Sequence, residues 1–291
     1  MRKDDSTLSP EQLSEIRSCA DRLLRKAGAY GRFPTPVEDL VGASGLEVEA
    51  EISLESGFLV KLYRRMPGQV KRAVDKVLGV LDARAGLIYL DQSVHQKRRV
   101  FLSLHEIGHG FLPWQQQTWS YLEDSESTLD EGIRDQFERE ANVFASEVLF
   151  QLDAFRSEAR DSALGIRSVL ELARRYGSSF YAAVRRYVAV QERACAVVIF
   201  DKPTGHAAAR RQLTLRRSVE SPSFIKVFGS GYWRDSYGPQ TIFGQSLPEE
   251  GRFSRPTLCR LTDRNGKSRH CLVEAFDSTY QVFFLLYPSR E

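Results

Sequence analysis

The sequence is poor in cysteine, and what it has is unpaired. Cys19, Cys195, Cys259 and Cys271 are the four in 291 residues, and no two stand as Cys-x-x-Cys. That scatter excludes a secreted-type disulfide framework and a cysteine-rich zinc site. No apolar run approaches the ~20 residues of a membrane-spanning helix. The stretch Met1 to Pro10 is polar, without the apolar segment of a signal peptide. A cytoplasmic protein with no membrane contact is expected. Charge of one sign is not in excess either: 41 Lys and Arg stand against 38 Asp and Glu, net +3. That balance is too mild by itself to mark a nucleic-acid binder. Internal repeats, low-complexity tracts and a glycine-rich phosphate loop are absent, and no local signature of a Ser-His-Asp or Cys-His triad occurs.

What is present is enough apolar material for a real core, 42% of residues, and a length that suggests two or three domains. Ser9-Pro10-Glu11-Gln12 reads as a helix start, and Leu13, Ile16, Ala20, Leu23 and Leu24 continue it at helical spacing up to Gly28. Pro36 to Val41 opens a second helix. The alternation from Leu46 to Ile52 reads as a strand, and Val77–Leu81 with Leu87–Leu90 as a hairpin. The basic stretch from Lys61 to Lys76 reads as a solvated face. A long helix runs from about Ser93 to Gly110, a polar loop covers 114–131, and a second long helix covers about 130–150. Residues 165–190 read as helix, turn, helix. Beyond Arg193 the pattern is strand-like, best at Cys195–Phe200 and Val282–Tyr287. The expected division is 1–160, 161–193 and 194–291, with an α+β first domain and a β-rich last one.

The sharpest signal is His105-Glu106-Ile107-Gly108-His109. On a helix, positions i and i+4 share a face one turn apart, so two imidazoles can take two corners of a zinc tetrahedron. Glu106 is then placed to flank the metal and take a proton from its water. Chance supplies roughly 0.006 such matches in a chain of this composition. Gly108 is expected to keep space open beside the metal. A catalytic zinc needs a third protein ligand. His95 is two to three turns upstream, and His206 and His270 lie in the last domain. Glu138 and Glu140 on the acidic helix are the better candidates. Glu138 borders the apolar face of Phe137, Ala141, Phe144, Ala145 and Val148, whereas Glu140 lies about 200° round from it, so Glu138 is preferred. Asn142 could orient a ligand.

The run Val100 to His109, followed by Glu138-Arg139-Glu140-Ala141-Asn142-Val143-Phe144-Ala145, resembles the ImmA/IrrE family of zinc metallopeptidases. The resemblance implies that His105, His109 and Glu138 hold Zn2+ and that Glu106 is the general base. It implies a zincin-like domain whose edge strand corresponds to Leu87–Leu90. It also implies a protein substrate, a helix-turn-helix repressor cut in a stress or mobile-element response. The helix pair at 165–190 and the β-rich remainder resemble the radiation-response branch, with a helix-turn-helix and a GAF-like sensor. One departure is Val148-Leu149-Phe150-Gln151, where family members often carry a proline.

Two further features have a functional and a plain reading. Arg185 and Arg186 on the second helix of the pair could contact DNA, but the pair reads better as a packing module. Arg210, Arg211, Arg216, Arg217, Tyr232, Trp233, Tyr237 and Phe243 could stack bases, but read better as strand faces. The competing functional class is a non-enzymatic regulator that binds DNA or a ligand and holds structural zinc. A weaker third is a metallopeptidase acting on small peptides.

Overall fold

A computed structural model describes residues 8–49, 79–82, 85–90, 94–118, 130–202, 212–248, 252–278 and 280–289. The basic stretch Lys61–Lys76 lies outside the described residues. The chain divides into two compact units, Met1–Ala154 with Arg174–Ser179, and Phe155–Ala173 with Phe180–Glu291. Among the described residues, no helix is long and apolar enough to cross a membrane.

The first unit is helical around a small sheet. Helix α1 (Pro10–Lys26) starts on a reciprocal capping box between Ser9 and Gln12, with proline in its first turn. The Ser9 hydroxyl and Gln12 amide satisfy two of the end N–H groups that a helix leaves unpaired. The α1 face of Ile16, Ala20, Leu23 and Leu24 is fully buried. Helix α2 is Val37–Ser44, and strands β1 (Glu47–Glu49), β2 (Gly79–Asp82) and β3 (Leu87–Leu90) follow. β3 pairs parallel with β1 and antiparallel with β2. The expected hairpin is therefore present, but Leu87–Leu90 lies at the centre of the three described strands rather than at an edge. Its Ile88, Tyr89 and Leu90 are buried, which suits a central strand.

Helices α3 (Gln96–Phe111) and α4 (Glu131–Leu149) pack along each other. α4 begins on Asp130, whose carboxylate accepts from the amides of Gly132 and Ile133. Ala141, Phe144, Ala145 and Val148 are its fully buried stripe, at the i, i+3, i+4, i+7 spacing of a core-facing helix. Gly108 lies where the helices touch. A Cβ there would sit 3.2 Å from Ala141 Cα and 3.2 Å from Phe144 Cδ1. This glycine thus permits close helix approach, which differs from the expected opening beside a metal. Arg17 ties α1 to α4 through Glu147, at 2.8 Å. Residues 113–118 are helical, not part of a loop from 114.

The second unit holds helix α5 (Asp153–Asp161) from Phe155 onward, most of α6 (Ile166–Arg175), and α7 (Phe180–Val190). Strands β4 (Ala196–Asp201), β5 (Leu213–Glu220), β6 (Ser236–Tyr237), β7 (Thr257–Thr262), β8 (Ser268–Asp277) and β9 (Gln281–Pro288) form one antiparallel sheet in the order β6-β5-β4-β9-β8-β7. Two short helices, α8 (Pro222–Phe228) and α9 (Ile242–Gln245), interrupt it in sequence. One face buries Val198, Phe200, Phe224, Phe243, Val273 and Phe284 in a single cluster. On α7, Ala183, Val184, Tyr187 and Val188 are buried, and the helix packs on β4 and β5. Arg185 and Arg186 are half-buried, and the Arg185 guanidinium lies 5.5 Å from the Tyr181 ring centre.

Candidate metal centre

The α3 helix turns His105 and His109 to the same side, with Nε2 atoms 3.1 Å apart. From α4, the two carboxylate oxygens of Glu138 reach them, Oε2 at 3.3 Å from His105 Nε2 and Oε1 at 3.5 Å from His109 Nε2. Among the described residues this is the one cluster of His, Cys, Asp or Glu whose donor atoms could converge on a metal ion. Glu140 is not part of it, and His95 instead caps α3 by accepting from the Lys97 amide. His270 is exposed on β8, and His206 lies outside the described residues.

The spacing can be tested against a metal. Zinc binds imidazole nitrogen and carboxylate oxygen at about 2.0–2.2 Å in a tetrahedron, so neighbouring donors stand about 3.3 Å apart. The three observed separations bracket that value. The donor set, two neutral imidazoles and a carboxylate, is that of a catalytic zinc with a fourth position open. The imidazoles are nearly enclosed, whereas the Glu138 side chain is 53% exposed, so the cluster is open from the α4 side.

A second layer fixes His109. Its Nδ1 is 2.7 Å from Gln115 Oε1. The Gln115 amide nitrogen donates to Phe137 O at 3.1 Å and to Glu140 Oε2 at 2.8 Å. Because the NH2 group faces two acceptors, the Gln115 oxygen must accept, so His109 Nδ1 carries the proton. Nε2 is then the lone pair that faces the cluster. Glu140 is buried and is held in turn by Trp114 Nε1 at 2.7 Å and Gln136 Nε2 at 2.8 Å. Sequence reasoning did not single out Gln115 and offered Asn142 as a candidate orienter; the Asn142 side chain makes no hydrogen bond among the described residues. Gln115 sits in a polar run with no periodic signal, and only the fold brings it beneath His109.

Electrostatics separate the carboxylates. Burial pushes the Glu138 carboxyl up, but hydrogen bonds from His105 and His109 outweigh it and hold the group well below the usual carboxylate range. Glu106 moves the other way: loss of water around its buried side chain raises it, despite the neighbouring histidines and a hydrogen bond from the Leu81 backbone. Burial lowers His109, but the Glu138 carboxylate and Glu106 more than offset this and the net shift is upward. Two carboxylates within one site are thus driven apart, one a permanent anion and the other a better base.

Residues 67–187, which carry the whole cluster, match the IrrE N-terminal-like domain of the Peptidase M78 family. That match supports an ImmA/IrrE assignment for residues 67–187 of the chain. Its IrrE-like domain suggests a metallopeptidase-type or a regulatory role. No curated protein matches the chain. A solved structure, a Mycobacterium tuberculosis transcriptional regulator, is similar at a TM-score of 0.53 over 94% of this chain and 76% of that one, with 14% identity. At that identity the likeness concerns the fold.

Proposed function

We propose that this ImmA/IrrE protein is a zinc-dependent endopeptidase, with His105, His109 and Glu138 as metal ligands and Glu106 as general base. The observation that carries the reading is the set of three donor separations at tetrahedral spacing beside a buried carboxylate that is not itself a ligand. When bound, zinc supplies a Lewis acid that lowers the pKa of water towards ~7 and polarises a peptide carbonyl. Glu106 takes the proton of the attacking water on its carboxylate. It then returns that proton to the departing amine nitrogen. Burial makes Glu106 more basic, which suits the first step. Glu138, kept anionic, holds the two histidines in place, and Gln115 with Glu140 fixes the His109 tautomer.

The substrate is a protein, in our reading a helix-turn-helix repressor cleaved in a stress or mobile-element response. The division 1–160, 161–193 and 194–291 gives a peptidase domain, a helix-turn-helix-like module and a GAF-like sensor in this proposal. The free thiols agree with a reducing compartment, which we take to be the cytoplasm. The likeness to a transcriptional regulator favours a second reading, a regulator whose metal is structural and which need not cut anything. A structural site has no use for a base such as Glu106. Glu106→Gln separates the two. Wild type and variant, equally loaded with zinc, are incubated with purified repressors encoded nearby and with unstructured peptides. We expect the wild type to cut one repressor at a single bond and the variant to be slower by about 10²–10⁴-fold. Retention of the full biological effect in Glu106→Gln would sink the enzyme reading. Equal digestion of any unstructured peptide would replace the repressor with small peptides as the substrate class.

A further inference from the structure

The chain's charge is unevenly spread. Over residues 252–273, Arg252, Arg255, Arg260, Arg264, Lys267 and Arg269 stand against a single acid, Asp263. The rest of the chain is acidic on balance. This stretch is the outer hairpin of the six-stranded sheet: Thr257↔Val273 to Thr262↔Ser268 pair in register, and β7 is the last strand. An edge strand exposes unpaired N–H and C=O groups, and charged side chains or proline there keep other strands away. Arg255, Pro256 and Arg260 meet that need. Arg264 and Lys267 lie on the turn, where no strand edge needs guarding. Internal pairing does not account for them either. Asp263 is almost fully buried and engaged by Arg269 Nε at 2.9 Å and by the amides of Asn265 and Lys267.

Arg255, Arg260, Arg264 and Lys267 are exposed, and among the described residues none has an acidic partner. Arg260 lies instead against His270, Nε to Nε2 at 3.3 Å. Like charges gathered without counter-charge repel one another, so their arrangement calls for an anion from outside. From Arg255 to Arg264 an extended chain reaches about 30 Å at 3.3 Å per residue. Phosphates recur about every 3.4 Å along the axis for each DNA strand, so several fall within that reach. We propose that the β7–β8 hairpin binds a nucleic acid through its phosphate backbone. An acidic peptide added to the edge would run its ladder past Pro256, which has no N–H to give. Phosphates ask only for the exposed cations. This surface is separate from Arg185 and Arg186, which are half-buried on α7.

The test is fluorescence anisotropy of the full chain with a labelled 20-base-pair duplex between 50 and 200 mM NaCl. Four phosphate contacts give a slope of log affinity against log salt of about −3 to −4. R255Q/R260Q/R264Q/K267Q, with unchanged circular dichroism and melting, should bind at least about tenfold weaker at 100 mM salt and lose most of that slope. K267Q alone, on the exposed turn, should reduce the slope by about one, and it keeps the test valid if the fourfold variant misfolds. R185Q/R186Q should bind as the wild type does. No wild-type binding at 50 mM salt, or equal binding by a folded fourfold variant, overturns the proposal. Tighter binding of poly-glutamate than of the duplex assigns the face to an acidic protein and overturns it too.

Discussion

The two units bury polar groups in different ways. In the second, Ser221 and Glu274 show buried polar side chains bracing backbone. Ser221 bonds the amides of Cys195 and Phe224 and the carbonyl of Arg193, and Glu274 accepts from the Ile166 amide and the Tyr287 hydroxyl. The cluster behind them is apolar and aromatic, with Phe200, Phe243 and Phe284 ring centres 5.0–5.6 Å apart. In the first unit, His105, Glu106, His109, Gln115 and Glu140 are all buried, and a chain of contacts runs from His105 through His109 and Gln115 to Glu140. A buried polar group costs stability unless paired. The second unit meets that cost with backbone and gains order. The first does the same at Thr35, Ser103 and Gln151, but at the cluster it relies mainly on other side chains, and what results is a set of lone pairs facing one point.

That contrast can be broken in order of expected effect. Glu138→Ala removes a donor from that point and should take the metal content of purified protein from one per chain to near zero, read by elemental analysis. Glu140→Ala should retain the metal, because its carboxylate faces Trp114, Gln115 and Gln136. The reverse outcome would exchange their roles. Phe284→Ala should cost about 3–5 kcal/mol of unfolding free energy, since truncating a buried aromatic loses both transfer energy and packing. A denaturant titration checks this, and a cost below 1 kcal/mol would show that the aromatic cluster is loosely packed. Gln115→Ala frees the His109 tautomer without removing a ligand, so zinc affinity should fall about 10–100-fold in a competition assay. An unchanged affinity would leave Gln115 no positioning role.

A proton competes with metal for the same lone pair. His109 is raised above its ordinary value in the metal-free protein, so its ion pair with Glu138 stabilises that state below neutral pH. This stability is lost as pH rises through the raised value. Zinc affinity should therefore climb with pH, with a midpoint above ~6.5. Calorimetric titration from pH 6 to 8 measures it, and a flat profile would contradict the assigned geometry. The smallest contrast is between caps. Ser9→Ala, at a partly exposed helix start, should cost about 1 kcal/mol. Ser221→Ala strands two amides and a carbonyl in a buried site, and should cost about 2–3 kcal/mol.

Much of this was legible in the sequence because it rests on local rules. The Ser9 helix start, the stripes of α1 and α4, the β2–β3 hairpin and the helical placement of His105 and His109 all follow from spacing. Glu138 over Glu140 followed from angular position on one helix. What was not legible depends on two elements meeting. Gly108 gives no sign in one sequence that Ala141 lies against it. Trp114 and Gln115 sit in a polar run, so 114–118 read as loop although helical. The angle of Glu140 on its helix gives no sign of its partners, which come from another segment and from its own helix. The position of Leu87–Leu90 at the sheet centre likewise depends on β1, forty residues away in sequence.

Gly108 also sets a dimension. With hydrogen in place of a methyl, α3 rests almost on the backbone of α4, and that contact fixes how far Glu138 stands from the imidazoles. If the proposed zinc site holds, the glycine acts as a calliper for ionic radius. Gly108→Ala would hold the jaws wider by a few tenths of an ångström and shift preference from zinc towards a larger ion such as cadmium. One absent methyl thus sets how closely the two helices approach, and with it the reach of Glu138 towards the imidazoles.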